Sequence, residues 1–328
     1  SPARWLEDAG AKVTCIDLAI DCLNKEAVRQ AGLIAIYLPM HTATRLAVTV
    51  LPRIKEINNR AHLAFYGLYA TINKAYLCDL GGETILSGEI EASLVRLYQG
   101  LTKRTGVQEE DGIALSRQSF RVPKRSGLPD LTRYAKLNFG FGQTKIVGYT
   151  EASRGCKHLC RHCPVVPVYQ GRFFVVQREV VLADVCQQVE AGAEHITFGD
   201  PDFFNGPGHA IPLVESFHAE FPNTTYDATI KVEHLLAHRD KLPLLAKTGC
   251  LFVTTAVEEV DNNVLGKLEK RHPRSDFAEA VGSARTAGLT LSPTFIPFHP
   301  WTTPSGNLDL LSMIIEMDLI ENVAPIQL

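Results

Sequence analysis

The sequence lacks any run of the roughly 20 consecutive apolar residues that a membrane-spanning helix needs. It also lacks a dominant charge sign. Its 33 Lys and Arg against 36 Asp and Glu leave a net charge of −3, which provides no broad basic surface for nucleic acid or anionic lipid. The opening residues, Ser1-Pro2-Ala3-Arg4-Trp5, carry no signal-peptide pattern. No short internal repeat or low-complexity tract is present. These absences point to a cytoplasmic protein without nucleic-acid or membrane partners. Composition is ordinary for a globular chain, with 45% apolar and 21% charged residues, and 328 residues suggest two domains.

A disulfide framework is also missing. Eight cysteines lie at positions 15, 22, 78, 156, 160, 163, 186 and 250, in a chain neither small nor visibly secreted. Three fall within eight residues and the others are scattered. Cys15, Cys186 and Cys250 read as small buried hydrophobes.

Strands alternate with helices from the start, which implies a parallel, Rossmann-like sheet over residues 1–101. Ala11–Ala19 reads as a strand, Lys25–Gly32 as a helix, Leu33–Leu38 as a strand. Thr42–Asn59 has helical spacing, with Pro52 expected to kink or split it. His62–Tyr69 and Ile85–Leu86 read as strands, Ile90–Leu101 as a helix. Residues 102–143 interleave Arg and Lys with Gly, Pro and Ser and read as a linker. The βα rhythm then returns over 144–328. Strands are expected at Ile146–Ser153, His195–Phe198, Thr225–Ile230, Leu251–Ala256, Thr290–Ile296 and Pro325–Leu328. Helices are expected at Arg178–Ala191, Ile211–Glu220, His234–Lys247, Asp276–Ala287 and Leu308–Met317. Six consecutive units make a partial (βα)6 barrel, whose sites gather at the C-terminal strand ends. The sequence stops inside an expected strand, so further residues are expected beyond it.

The motif with chemistry in it is Gly155-Cys156-Lys157-His158-Leu159-Cys160-Arg161-His162-Cys163-Pro164, spaced C-x3-C-x2-C. Four thiolates complete an ordinary zinc or iron–sulfur site. Here Cys156, Cys160 and Cys163 stand without a nearby fourth, which leaves one iron of a [4Fe–4S] cubane open to S-adenosylmethionine (SAM). A zinc knuckle using His158 or His162 is the structural alternative.

From Ile146 to Leu328 the chain resembles the radical SAM superfamily, in the branch with an N-terminal cobalamin-binding-like domain. Cys156–Arg172 (CKHLCRHCPVVPVYQGR) is similar to the group named for a CUAEP or CCAEP tail, some of them selenoproteins, which looks to include the arsinothricin-biosynthesis enzyme. The resemblance implies a site residue by residue. Gly199-Asp200-Pro201-Asp202 stands where the family has a Gly-Gly-Glu-like motif accepting from the SAM ammonium; an Asp-Pro turn is the plain alternative. Glu258 stands where relatives bind the ribose, with Glu259 replacing a Ser. Lys231 is a candidate for the SAM carboxylate, and Tyr169 for packing on adenine. His299 and Trp301, with Thr302 and Thr303, are candidate substrate contacts, or a Pro-rich loop with an anchoring Trp.

Cobalamin is a further candidate cofactor, although Asp-x-His-x-x-Gly is absent; Met40–Thr44 and Ser87–Glu89 can meet a corrinoid or merely start helices. The resemblance implies a small-molecule substrate and an external electron donor such as flavodoxin or ferredoxin. The most specific expectation is transfer of the 3-amino-3-carboxypropyl group of SAM to trivalent arsenic in natural product biosynthesis. The alternatives are a cobalamin-dependent radical SAM methyltransferase and a non-enzymatic zinc or iron–sulfur module.

Overall fold

A computed structural model describes residues 1–104, 112–138, 140 and 142–325. The chain divides into two compact units, Ser1–Tyr134 with Pro167–Gln170, and Ala135–Val166 with Gly171–Leu328.

The first unit is built on three parallel strands, β1 (Leu33–Tyr37), β2 (His62–Tyr66) and β3 (Thr84–Leu86), in that order. Alternation along β2 sends its side chains to two faces. Leu63 and Phe65 pack with Leu38, Ala47, Leu51, Ala70 and Leu77. Ala64 packs with Leu6, Leu86, Ile90, Leu94 and Leu97. His41–Ile57 is one helix containing Pro52, so of the expected kink or split no split occurs. Pro52 sits on the exposed side of that helix, where water can satisfy the carbonyl whose partner N–H it lacks.

The Ala11–Ala19 strand is corrected by the structure: the segment is irregular and ends in a turn. It lines, with β1, a cavity of about 1490 Å³. Its alternating apolar pattern is real, but a strand exists only by pairing, and no backbone hydrogen bond of Lys12–Ile16 occurs among the described residues.

In the second unit, β4 (Lys136–Asn138) and β5 (Thr144–Thr150) pair antiparallel, with β4 inside the stretch expected as linker. A short hairpin follows, β6 (Ser153–Gly155) against β7 (Phe173–Val175). Then come β8 (His195–Phe198), β9 (Thr225–Thr229), β10 (Cys250–Glu258) and β11 (Thr290–Phe295). The six-stranded sheet runs β11-β10-β9-β8-β5-β4, with every neighbour from β5 to β11 parallel. It is a curled half-barrel. Phe198, Phe203, Phe217 and Tyr226 interlock, with ring centroids 5.0–6.0 Å apart, and fix the end of β8 that carries the Gly-Asp-Pro-Asp turn.

Two expectations need revision here. The expected strand Ile146–Ser153 is two strands, because the chain turns after Thr150 into the hairpin. The expected helix His234–Lys247 is broken into Val232–Ala237, a 3-10 turn at Arg239–Lys241 and Leu242–Lys247. Pro243 explains the break: it suits the first turn of the last helix and cannot continue a preceding one. Beyond Pro325, the expected last strand lies outside the described residues.

Candidate functional site

Five chain segments leave the C-terminal ends of the five parallel strands, and each carries sequence-predicted site residues: Cys156–Cys163, Gly199–Asp202, Lys231, Glu258–Glu259 and His299–Trp301. The topology therefore gathers them at one end of the half-barrel.

The cysteine loop begins where the β6–β7 ladder stops, with Gly155 paired to Phe173. Gly155 takes φ +76°, a left-handed conformation glycine adopts without strain. Cys156 and Cys160 are buried, Cys163 partly so, and all three are unbridged. Burial pushes the Cys156 thiol up to about 11, against the pull of the His158 N–H and Asn205. Burial likewise raises Cys163. A bound cation is what makes such buried thiols thiolates, and three soft sulfur donors in one loop suit iron of a [4Fe–4S] cluster. Neither histidine of the loop stands idle. His162 Nε2 lies 3.1 Å from Glu258 Oε1, and His158 Nε2 lies 3.3 Å from His234 Nε2. One observation favours a metal using His158: among the described residues, Cys156, His158 and Asp202 bring their donor atoms within 4.8 Å of one another. Asp202 is otherwise engaged, its Oδ2 lying 2.6 Å from His234 Nδ1. Burial would raise the Asp202 carboxyl, but the two imidazoles hold it far below its ordinary value.

The neighbouring Asp200 is also buried, with a different role. Its carboxylate accepts from the Ala152 N–H at 2.9 Å and the Ser153 hydroxyl at 2.5 Å. It clamps the chain entering the cysteine hairpin, and burial raises its pKa to about 7. A Cβ at Gly199 would lie 2.0 Å from the Tyr149 hydroxyl, so a larger residue there would displace that exposed ring. Pro201 follows within the same turn.

Glu258 ends β10 after a register shift against β11 and takes φ +73°. A bulge re-aims a side chain, and left-handed backbone in a non-glycine residue is costly and clusters at functional sites. Burial would raise its pKa, but the His162 hydrogen bond and the Lys270 ammonium 3.4 Å away prevail and lower it. Glu258 is thus a carboxylate held ready as an acceptor. Lys231 is 5% exposed, and its Nζ has no hydrogen-bond partner among the described residues; Glu233 Oε2 is 3.6 Å away. A buried ammonium of this kind calls for an anion.

His299 and Trp301 fare unequally. His299 Nε2 lies 2.6 Å from Glu259 Oε2, and its Nδ1 accepts from the Trp301 N–H. Thr302 bonds back to Pro297 and His299. The loop is therefore a self-bonded turn, and the His299 imidazole has both nitrogens occupied. Trp301 remains 42% exposed, with the Lys267 Nζ 4.6 Å from its ring centroid. Tyr169 groups with the first unit, where its hydroxyl donates to Glu89.

Sequence reasoning missed Asn205, His234, Lys270 and His272. His272 is 4% exposed and burial lowers its pKa to about 4, with Lys270 and Lys231 pushing the same way. A polar residue inside an apolar stretch, such as Asn205 after Phe203-Phe204, was the available signal.

Residues 150–311 match the radical SAM superfamily. The hopanoid C-3 methylase of Methylococcus capsulatus is 26% identical over 226 residues, 67% of this chain. The chain spans 43% of that methylase's length. Among solved structures, the radical SAM methyltransferase TsrM from Kitasatospora setae, with cobalamin and a [4Fe–4S] cluster bound, aligns with a TM-score of 0.76 at 17% identity, covering 97% of this chain and 70% of that one. The cobalamin-dependent radical enzyme OxsB aligns with a TM-score of 0.70 at 16% identity, covering 94% and 48%. At such identities the likeness speaks to fold, and it extends over both units.

Proposed function

We propose, from the match of residues 150–311 to the radical SAM superfamily, that Cys156, Cys160 and Cys163 hold a [4Fe–4S] cluster at which SAM is reductively cleaved for group transfer. The carrying observation is three unbridged cysteines in the loop that follows β6, with no fourth cysteine near them in the sequence. When bound, the cluster supplies the electron that breaks a C–S bond of SAM. The chain's own residues supply position. Glu258 is an acceptor for ribose hydroxyls, Lys231 answers a carboxylate, and the carbonyls of the Gly199–Asp202 turn face an ammonium.

Methyl transfer assisted by cobalamin is the reaction we favour, with residues 1–101 as a cobalamin-binding-like domain and 144–328 as the radical SAM barrel. The hopanoid methylase and TsrM support this reading. Transfer of the aminocarboxypropyl group to arsenic rests on the resemblance of Cys156–Arg172 alone and takes second place. The site accepts a small-molecule substrate and draws its electron from an external donor such as flavodoxin or ferredoxin.

The test is anaerobic reconstitution with iron, sulfide and hydroxocobalamin, then SAM and dithionite. Four irons per chain, corrinoid absorbance retained after gel filtration, and S-adenosylhomocysteine with 5′-deoxyadenosine are expected. Methylthioadenosine without corrinoid would favour aminocarboxypropyl transfer. Zinc in place of iron would overturn both.

A further inference from the structure

We propose that the inner face of the half-barrel binds a protonated amine, its ammonium against the Asp227 carboxylate and beside the Phe252 ring. The substrate of the group transfer is then a small amine. The inference rests on the reading above only in placing the substrate on this face.

Alternation along the strands divides the sheet into two faces. Phe198, Tyr226, Val253, Leu291 and Phe295 are buried on one of them. Helices cover that face: the Phe217 ring lies 6.0 Å from Phe198 and 5.5 Å from Tyr226, and Phe277 lies 6.1 Å from Phe295. The residues between these point the other way. Thr197 of β8, Thr229 of β9, Thr254 of β10 and Thr294 of β11 are half-buried there. A barrel interior that served only as core would be filled with branched apolar side chains. This one carries hydroxyls.

Asp227 stands in the middle of this face and is 6% exposed. Register sets it beside Thr197 and Phe252, and sets Thr229 beside Thr254 one step nearer the C-terminal strand ends. Its Oδ1 accepts from the Thr197 hydroxyl at 2.6 Å and from His195 Nε2 at 2.9 Å. These bonds spend one oxygen and fix the plane of the carboxylate. Oδ2 takes no hydrogen bond among the described residues, and no Lys or Arg there pairs with Asp227. Lys145, nearer the other end of the strands, gives its Nζ to Thr225 at 3.0 Å. Lys231, four residues on and about 13 Å along the chain, is out of reach. The hydroxyls of Thr229 and Thr254 also take no partner among the described residues. A carboxylate so withdrawn from water, with one oxygen unspent, calls for a cation. An ammonium brings three N–H donors to that oxygen and the two hydroxyls. The neighbouring Phe252 ring, whose other side stacks on His195 at 6.1 Å, attracts the same charge. An anion would be repelled here, and an apolar group would leave Asp227 unmet.

The test is a fluorine NMR titration of the wild type, with and without reconstituted iron. The probes are para-fluorophenethylamine, an ammonium at neutral pH, and para-fluorophenethyl alcohol, its uncharged counterpart of the same shape. The amine should bind about tenfold more tightly than the alcohol, or better. Asp227→Asn keeps an oxygen for Thr197 and His195 and removes the charge. It should weaken the amine about tenfold and leave the alcohol unchanged. Thr229→Val keeps the shape of its side chain, leaves the His195 pair untouched and removes one acceptor. It should weaken the amine about two- to tenfold, which keeps the test open if Asp227→Asn does not fold. No binding of the amine, equal binding of the two probes, or wild-type amine affinity in either folded variant overturns the proposal. Amine binding in a protein that takes up no iron would uphold it and defeat the cluster assignment instead.

Discussion

Asp200→Asn should make the chain more stable at alkaline pH and change it little at acid pH. The carboxyl of Asp200 is wholly buried and its pKa rises from 3.8 to about 7. Between those values the folded chain keeps a proton that the unfolded chain has released, so stability falls as pH rises. The contribution is complete below about 3.8 and is lost as pH climbs through about 7. Integrating one site with these two pKa values gives a loss of about 2 to 3 kcal/mol between pH 5 and pH 8. An asparagine mimics the protonated acid. Its oxygen can accept from the Ala152 N–H, and its NH2 can donate to the Ser153 hydroxyl, which is free to reverse roles. Wild type and variant should therefore come closest below about pH 4, and the gap should widen from pH 5 to pH 8. Over that range the variant's advantage in melting temperature should grow by about 4 to 10 °C. The assay is thermal unfolding of both proteins at matched ionic strength and metal content from pH 5 to 8. Taking the difference cancels other titrating groups, including Asp202, whose lowered pKa acts in the opposite sense. A gap that stays constant across this range would refute the argument.

Glu258→Gln should weaken SAM binding about tenfold or more, since a charged acceptor is worth about 1.5–3 kcal/mol; equilibrium dialysis against the reconstituted enzyme reads it. Gly88→Ala should destabilise the first unit by about 2 kcal/mol or more, because Gly88 has φ +81° and a Cβ there would lie 2.2 Å from the Ala114 carbonyl oxygen; denaturant unfolding checks this. His299→Ala should leave Glu259 without its imidazole and cost about 1–3 kcal/mol. It should also free the loop carrying Trp301, so tryptophan emission should shift to the red.

Much of the half-barrel was legible because its strands are short segments between helices, largely buried as in His195–Phe198 or alternating buried and open as in Thr290–Phe295. The three cysteines were legible because their spacing is local. What periodicity could not reveal depends on contacts between distant residues. Ala11–Ala19 has the alternation of a strand but no partner edge. The β6–β7 hairpin brackets a loop of 17 residues, too long for a turn rule to register. Asn205, Lys270 and His272 matter only because folding carries them to strand ends beside the cysteine loop or beside Glu258. Tyr169 shows what closeness in sequence conceals: an aromatic shortly after the cysteines groups with the first unit.

The strand-end segments share a device. His162 meets Glu258, His234 meets Asp202 and His299 meets Glu259, at 3.1, 2.6 and 2.6 Å. Each pair joins residues from different strand-end segments, so each fixes one segment by another. Burying such a pair repays its desolvation poorly, and apolar packing would often be as stable. What a His–carboxylate pair gives is direction, since each carboxylate keeps a second oxygen aimed by the first. Asp202 shows the use, its Oδ1 lying 3.4 Å from the Lys231 N–H. Lys231 breaks the pattern. Its backbone is held by this network, while its buried ammonium meets only a carboxylate 3.6 Å away, outside hydrogen-bond geometry. Among the described residues no closer counter-charge meets the Lys231 Nζ, and that is the observation behind its proposed place opposite an anion.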